Sequence, residues 1–174
     1  MTDARRRPTF EEVYDQHVWD VYGFLAFRVA RRDDAEDLTQ ATFERALRAW
    51  GRFDARRAAP VTWLLAIARN VLIDHWRADR AAETDTLDPE APGLPSDVLG
   101  ADLGLEPDLE RALAALSDRE RELLALRFGA DLTGQQIAEV AGTSVAAVQQ
   151  ALSRSLRRLR ETLEAEAAPT RYEA

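Results

Sequence analysis

The sequence predicts an all-α protein: two small helical domains joined by an acidic linker rich in proline and glycine, with a helix-turn-helix in the second domain. Three observations predict it. Apolar residues recur at three- and four-residue steps, and no stretch alternates with period two for long enough to argue a sheet. Residues 81–108 hold Pro89, Pro92, Pro95, Pro107, Gly93, Gly100 and Gly104, a composition that sustains no long helix and buries little. Helix-start signals then recur through the last third of the chain. The expected division is therefore 1–80, a linker over 81–108, and 109–174. Fully extended, the linker could span roughly 90 Å.

The first domain reads as three helices. Phe10, Val13, Tyr14, Val18, Val21, Tyr22, Leu25 and Val29 fall on one helical face, with Gly23 as a mild flaw. A second helix opens with Asp33, Asp34, Glu36 and Asp37, acids that the positive end of a helix dipole favours. Leu38, Thr42, Ala46 or Leu47, and Trp50 form its buried stripe, and Gly51 suits its stop. A third starts at Pro60 and runs through Val61, Leu64, Leu65, Ala68, Val71 and Leu72 to about Arg80.

In the second domain, Leu109, Leu113 and Leu116 mark a short helix. Ser117 with Glu120 makes a capping box for the next, which buries Leu123, Leu124 and Leu126 or Phe128 and ends near Gly129. Thr133 with Gln136 makes another box, followed by Ile137, Val140, Ala141 and Gly142. Ser144 caps a last helix with Val145, Val148, Leu152, Leu156, Leu159 and Leu163 on one face.

Charge and composition narrow the function. The net charge of −8 is uneven: residues 1–80 carry 14 Arg and 13 acids, 81–110 carry 9 acids and no base, and 111–174 carry 9 of each. An acidic total therefore does not exclude nucleic-acid binding by either flank. All 23 basic residues are Arg, whose fork suits phosphate and guanine. Cysteine is absent and there are only two histidines, His17 and His75, so no thiolate or common zinc site is expected. No glycine-rich phosphate loop or nucleophile set appears, so an enzyme is the least favoured class, with no cofactor. No apolar run approaches membrane-spanning length and the N-terminus makes a poor secretory signal, so a cytoplasmic protein is expected.

Three constellations carry chemistry. Leu132 to Leu152 reads as a short helix, a tight turn at Gly142 and a longer helix, the geometry whose second helix enters a major groove. Ser144, Ala146, Ala147, Gln149 and Gln150 would reach bases, and Arg154, Arg157, Arg158 and Arg160 would meet phosphates. The alternative is an ordinary helical hairpin with a solvated arginine face. In the first domain, Arg52, Arg56, Arg57, Trp63, Asn70, Asp74, Arg77 and Arg80 mix cations, aromatics and amide as a single-stranded DNA surface does. Trp63 fits a core anchor equally well. Asp34 to Phe43 forms an acidic turn that decorates a helix start or docks on a basic partner helix.

The order DAEDLTQATFERAL, GRFD, TWLLAIARNVLIDHWR, LSDRERELLALRF and LTGQQIAEVAGTSVAAVQQALSRSLRRLR resembles sigma factors of the extracytoplasmic-function (ECF, group IV) class, over roughly residues 10–80 and 109–163. The resemblance implies an alternative sigma factor that binds core RNA polymerase and promoter DNA and directs transcription initiation. Docking on the polymerase would use Asp34, Glu36, Asp37, Leu38, Gln40 and Phe43. The −10 element would be captured by the Arg52–Trp63 loop and the Asn70–Arg80 helix, and the −35 element read by the Thr143–Arg158 helix. It also implies an anti-sigma factor as an inhibitory partner. Two departures bear on DNA recognition: Gln149–Gln150–Ala151 stands where the family usually has basic or hydroxyl residues, and AAPVTW lacks the arginine often found before the tryptophan.

Two other readings fit parts of the chain. LSDRERELLAL with the helix-turn-helix also fits a stand-alone regulator of the response-regulator output type, although residues 1–80 lack the alternating βα pattern of a receiver. A sigma-like interaction protein that opens no promoter would be consistent with Gln149–Ala151.

Overall fold

The computed structural model describes residues 7–83 and 106–167. Most of the expected linker, residues 84–105, lies outside the described residues. Among them the structure is helical: α1 (Phe10–Ala26), α2 (Arg32–Ala49), α3 (Pro60–Glu83), α4 (Pro107–Ala114), α5 (Asp118–Leu124), α6 (Gly134–Ala141) and α7 (Val145–Ala167). A 3-10 turn, Trp50–Arg52, extends α2, and a π-helical turn, Ala125–Gly129, extends α5.

The helix starts follow local chemistry. Thr9 and Glu12 form a capping box at α1, a signal of the same kind as those at Ser117–Glu120 and Thr133–Gln136, which cap α5 and α6. Each box satisfies two backbone donors that the helix itself leaves unpaired. Gly142 closes α6 at φ 62°, a left-handed conformation that glycine adopts without a Cβ penalty. Ser144 accepts from the Ala147 amide at 3.1 Å and opens α7.

α1, α2 and α3 pack around Val13, Val21, Phe24, Leu25, Ala46, Leu64 and Leu65. α4 and α7 enclose a smaller cluster of Ala112, Leu113, Leu116, Leu124 and Leu159. In the last helix the buried line runs through Val148, Ser155 and Leu159, while Val145 is 39% and Leu156 43% exposed. The apolar face expected there is corrected accordingly. Ser155 is tolerated inside because its hydroxyl donates back to the Ala151 carbonyl at 2.9 Å. Leu126 is buried and Phe128 is 57% exposed, which decides between the two α5 positions the sequence left open.

The two units touch. Leu123, Leu126, Leu132 and Ile137 share one apolar cluster with the core of α1–α3. At the crossing, a Cβ on Gly23 would lie 2.0 Å from the Gly129 carbonyl oxygen, so two backbones meet where only glycines fit. Gly23 is thus more than a flaw in α1. Around this point Arg28 bonds to Asp118, Arg69 to Glu122 and to the Val140 carbonyl, and Thr62 to Glu139.

Candidate nucleic-acid and partner interfaces

α1 and α2 enclose an open groove of about 860 Å³. One wall is aromatic: Tyr14 is 43% and Trp19 74% exposed, and Tyr14 meets Phe43 edge-on at 4.7 Å. The other wall is α2, with Glu36, Gln40, Glu44 and Leu47. Among the residues expected to dock a partner, Glu36, Gln40 and Phe43 line this groove. Asp37 is exposed, Asp34 half-buried, and Leu38 only 7% exposed. Leu38 therefore supports α2 from beneath and cannot touch a partner without repacking. Trp19 was absent from the sequence reading, and Tyr14 and Leu47, expected on apolar stripes, are exposed here at the groove rather than buried. Exposed aromatics beside carboxylates suit an apolar-and-basic helix of a partner protein.

The loop after α2 is rooted in an aromatic cluster. Trp50 stacks on Phe53 with ring centroids 4.9 Å apart, Phe53 lies 4.9 Å from Trp63, and Phe10 sits edge-on to Trp50. Trp63 is half-buried here and packs on Phe53 and Trp50 at the root of the loop. Arg52, Arg56 and Arg57 are exposed on that loop. Asp54 accepts from the Arg56 amide at 2.9 Å and shapes the turn. On α3, Asn70, Asp74, Arg77 and Arg80 are exposed. Asp74 is also a tether: it accepts from Arg45 of α2 at 2.7 Å. Arg80 reaches back to the Trp76 carbonyl.

α6, Gly142 and α7 make a helix-turn-helix. Ser144, Gln149, Gln150, Arg154 and Arg157 are exposed along one side of α7, and Thr143 and Ala147 are half-buried at its start. Gln149, Gln150, Ser153, Arg154 and Arg157 line a shallow depression. Arg158 differs: its guanidinium donates to both carboxylate oxygens of Glu120, at 3.0 and 2.9 Å, and to the Ala115 carbonyl. It braces α7 against α5 and has less freedom to meet a phosphate than Arg157. Burial raises the Glu120 pKa, but hydrogen bonds from Ser117 and Arg158 outweigh this and hold it below the ordinary glutamate value.

Among the described residues no group of three metal-ligating side chains comes together. No helix there is long and apolar enough to cross a membrane.

Comparison with known proteins agrees with this geometry. Residues 13–82 match the family model for Sigma-70 region 2, and residues 112–161 that for Sigma-70, region 4. The chain is 32% identical to the ECF RNA polymerase sigma factor BldN of Streptomyces coelicolor, across 92% of this chain and 62% of that protein's length. It is 30% identical to the ECF RNA polymerase sigma factor SigX of Bacillus subtilis, across 90% of this chain and 84% of that one. Its fold is similar to the sigma factor RpoE solved with the anti-sigma factor NepR from Bartonella quintana, with a TM-score of 0.67 and 23% identity over 89% of this chain and 96% of that one. Two helical units carrying regions 2 and 4 in that order define a factor of the sigma-70 type. The chain belongs to the ECF RNA polymerase sigma factors.

Proposed function

We propose that the chain is an alternative sigma factor that joins core RNA polymerase and directs it to promoters, with no catalysis of its own, in the cytoplasm where the polymerase works. The observation that carries this is the presence, in one chain, of two exposed DNA-type faces, one on each helical unit: the Arg52–Arg57 loop with α3, and the start of α7. The α1–α2 groove with Glu36 and Gln40, together with exposed Asp37 next to Glu36 on α2, is the docking surface for the polymerase. The loop and α3 take the melted −10 element, and α7 takes the −35 element. Family membership adds an anti-sigma factor as the inhibitory partner.

Distance requires the two units to part. Elements named −35 and −10 lie about 85 Å apart along straight B-form DNA. A compact body of this size has a radius of gyration near 14 Å, roughly 37 Å across. The chain between Glu83 and Glu106 could reach about 75 Å when fully extended. Each DNA contact alone is weak, and the polymerase supplies the effective concentration that joins them.

Reconstitution with core polymerase and run-off transcription on genomic fragments tests the reading. Specific transcripts are expected. A footprint by the free chain would favour a stand-alone regulator, and a holoenzyme that opens no promoter would favour a sigma-like interaction protein.

A further inference from the structure

The −10 loop has a neighbour that its own sequence does not announce. Arg7, ahead of α1, folds back onto Trp50, 43 residues away in the chain. Its guanidinium carbon lies 5.1 Å from the Trp50 ring centroid, and one of its N–H groups donates to the Trp50 carbonyl. Trp50 is the ring that stacks on Phe53 at the root of the loop. Arg7 is thus fixed beside the segment that carries Arg52, Arg56 and Arg57, and like them it is exposed. No carboxylate pairs with any of these four among the described residues.

We propose that Arg7 is a further DNA-contacting residue, gripping a backbone phosphate of the melted strand next to the segment held by the −10 loop. The assignment rests on the promoter-opening reading above. An arginine has five N–H donors in a planar fork, and the bond to Trp50 occupies one of its nitrogens. Stacking on the indole fixes the plane of the fork in advance, so little further freedom is lost when a phosphate binds. The four exposed cations stand in or beside a segment rooted in an aromatic cluster, the mix of charge and rings that tracks a single strand while bases stack. Arg5 and Arg6 lie outside the described residues, and the proposal stands on Arg7 alone.

The test uses holoenzyme and a labelled fork-junction DNA, single-stranded over the −10 region of a promoter that the wild-type holoenzyme opens. Affinity is measured across a salt series for wild type, Arg7→Ala and Arg7→Lys. Arg7→Ala is expected to bind about threefold more weakly and to lower the slope of log K against log salt by about 0.7, the loss of one single-strand phosphate contact. Arg7→Lys is expected to keep the slope and lose part of the affinity. Weaker binding by Arg7→Ala at an unchanged slope would reduce Arg7 to a clamp on Trp50 and overturn the proposal, as would unchanged binding. A wild-type holoenzyme that opens no promoter would instead overturn the function reading on which the proposal rests.

Discussion

Arg28, two residues past the end of α1, and Asp118, the first residue of α5, form an ion pair at 2.5 Å that joins the two helical units. The Arg28 side chain is 4% exposed and Asp118 52%. Arg28 also lies 4.9 Å from the Trp76 ring centroid and donates to the Asp118 carbonyl. Burial draws the Arg28 pKa below its ordinary value, and the Asp118 charge opposes that shift. A cation placed this way depends on its partner. Asp118→Ala is expected to cost about 1–3 kcal/mol, less than for a fully buried pair because Asp118 faces water. Urea denaturation with small-angle scattering should show a lower midpoint and a larger radius of gyration.

Gly129 tests the same contact sterically. A Cβ there would lie 2.5 Å from the Gly23 carbonyl oxygen, and neither backbone has a flexible end that could yield. Gly129→Ala is expected to weaken the packing of the units by about 1–3 kcal/mol. Helical circular dichroism should be kept while the hydrodynamic radius grows. An unchanged radius would mean that the close approach does not hold the units together.

Arg157 and Arg158 are neighbours in sequence with different expected effects. Arg157 is exposed, its nearest acid Glu161 being 3.9 Å away. Arg157→Ala should weaken −35 DNA binding by holoenzyme about equally across sequences and lower the salt slope by about 0.9. Arg158→Ala should instead lower the stability of the second unit by about 1 kcal/mol, because the brace from Arg158 Nη1 to Glu120 is lost. Thermal melts of the whole chain separate the two outcomes.

Glu120 gives the chain an acid-sensitive joint. Its folded pKa lies below the unfolded value, so its stabilising effect is present above the ordinary glutamate pKa and is lost as pH falls through the folded value. Glu120→Gln should therefore be less stable than wild type at neutral pH, with the difference shrinking below about pH 4. Parallel stability curves for the two proteins across pH would contradict this.

Asp37 is exposed on α2 at the proposed docking surface. Asp37→Arg should abolish binding to core polymerase while leaving the helical spectrum and melting midpoint unchanged. Co-purification with core polymerase measures it, and full retention would remove Asp37 from the docking surface.

Local chemistry made most of the helices legible in the sequence. The boxes at Ser117–Glu120 and Thr133–Gln136, Pro60 and Gly142 stand where their patterns place them, because each acts within one turn. Thr9–Glu12 carries the same signal and went unread. What stayed hidden depends on packing between distant segments. Gly23 is explained only by Gly129, and Arg158 looks like a phosphate ligand until Glu120 lies opposite it. Ser155 inside and Leu156 at the rim follow from how α7 rotates against α4 and α5. The exposed polar residues of the candidate surfaces could be listed from residue types, whereas the aromatic wall of Tyr14 and Trp19 needed α2 in place beside α1.

Run-off transcription by core polymerase, with and without this chain, tests the central claim most directly. Promoter-specific transcripts should appear only when the chain is present, and Asp37→Arg should remove them. A chain that co-purifies with the polymerase yet yields no specific transcript from any genomic fragment would contradict the assignment.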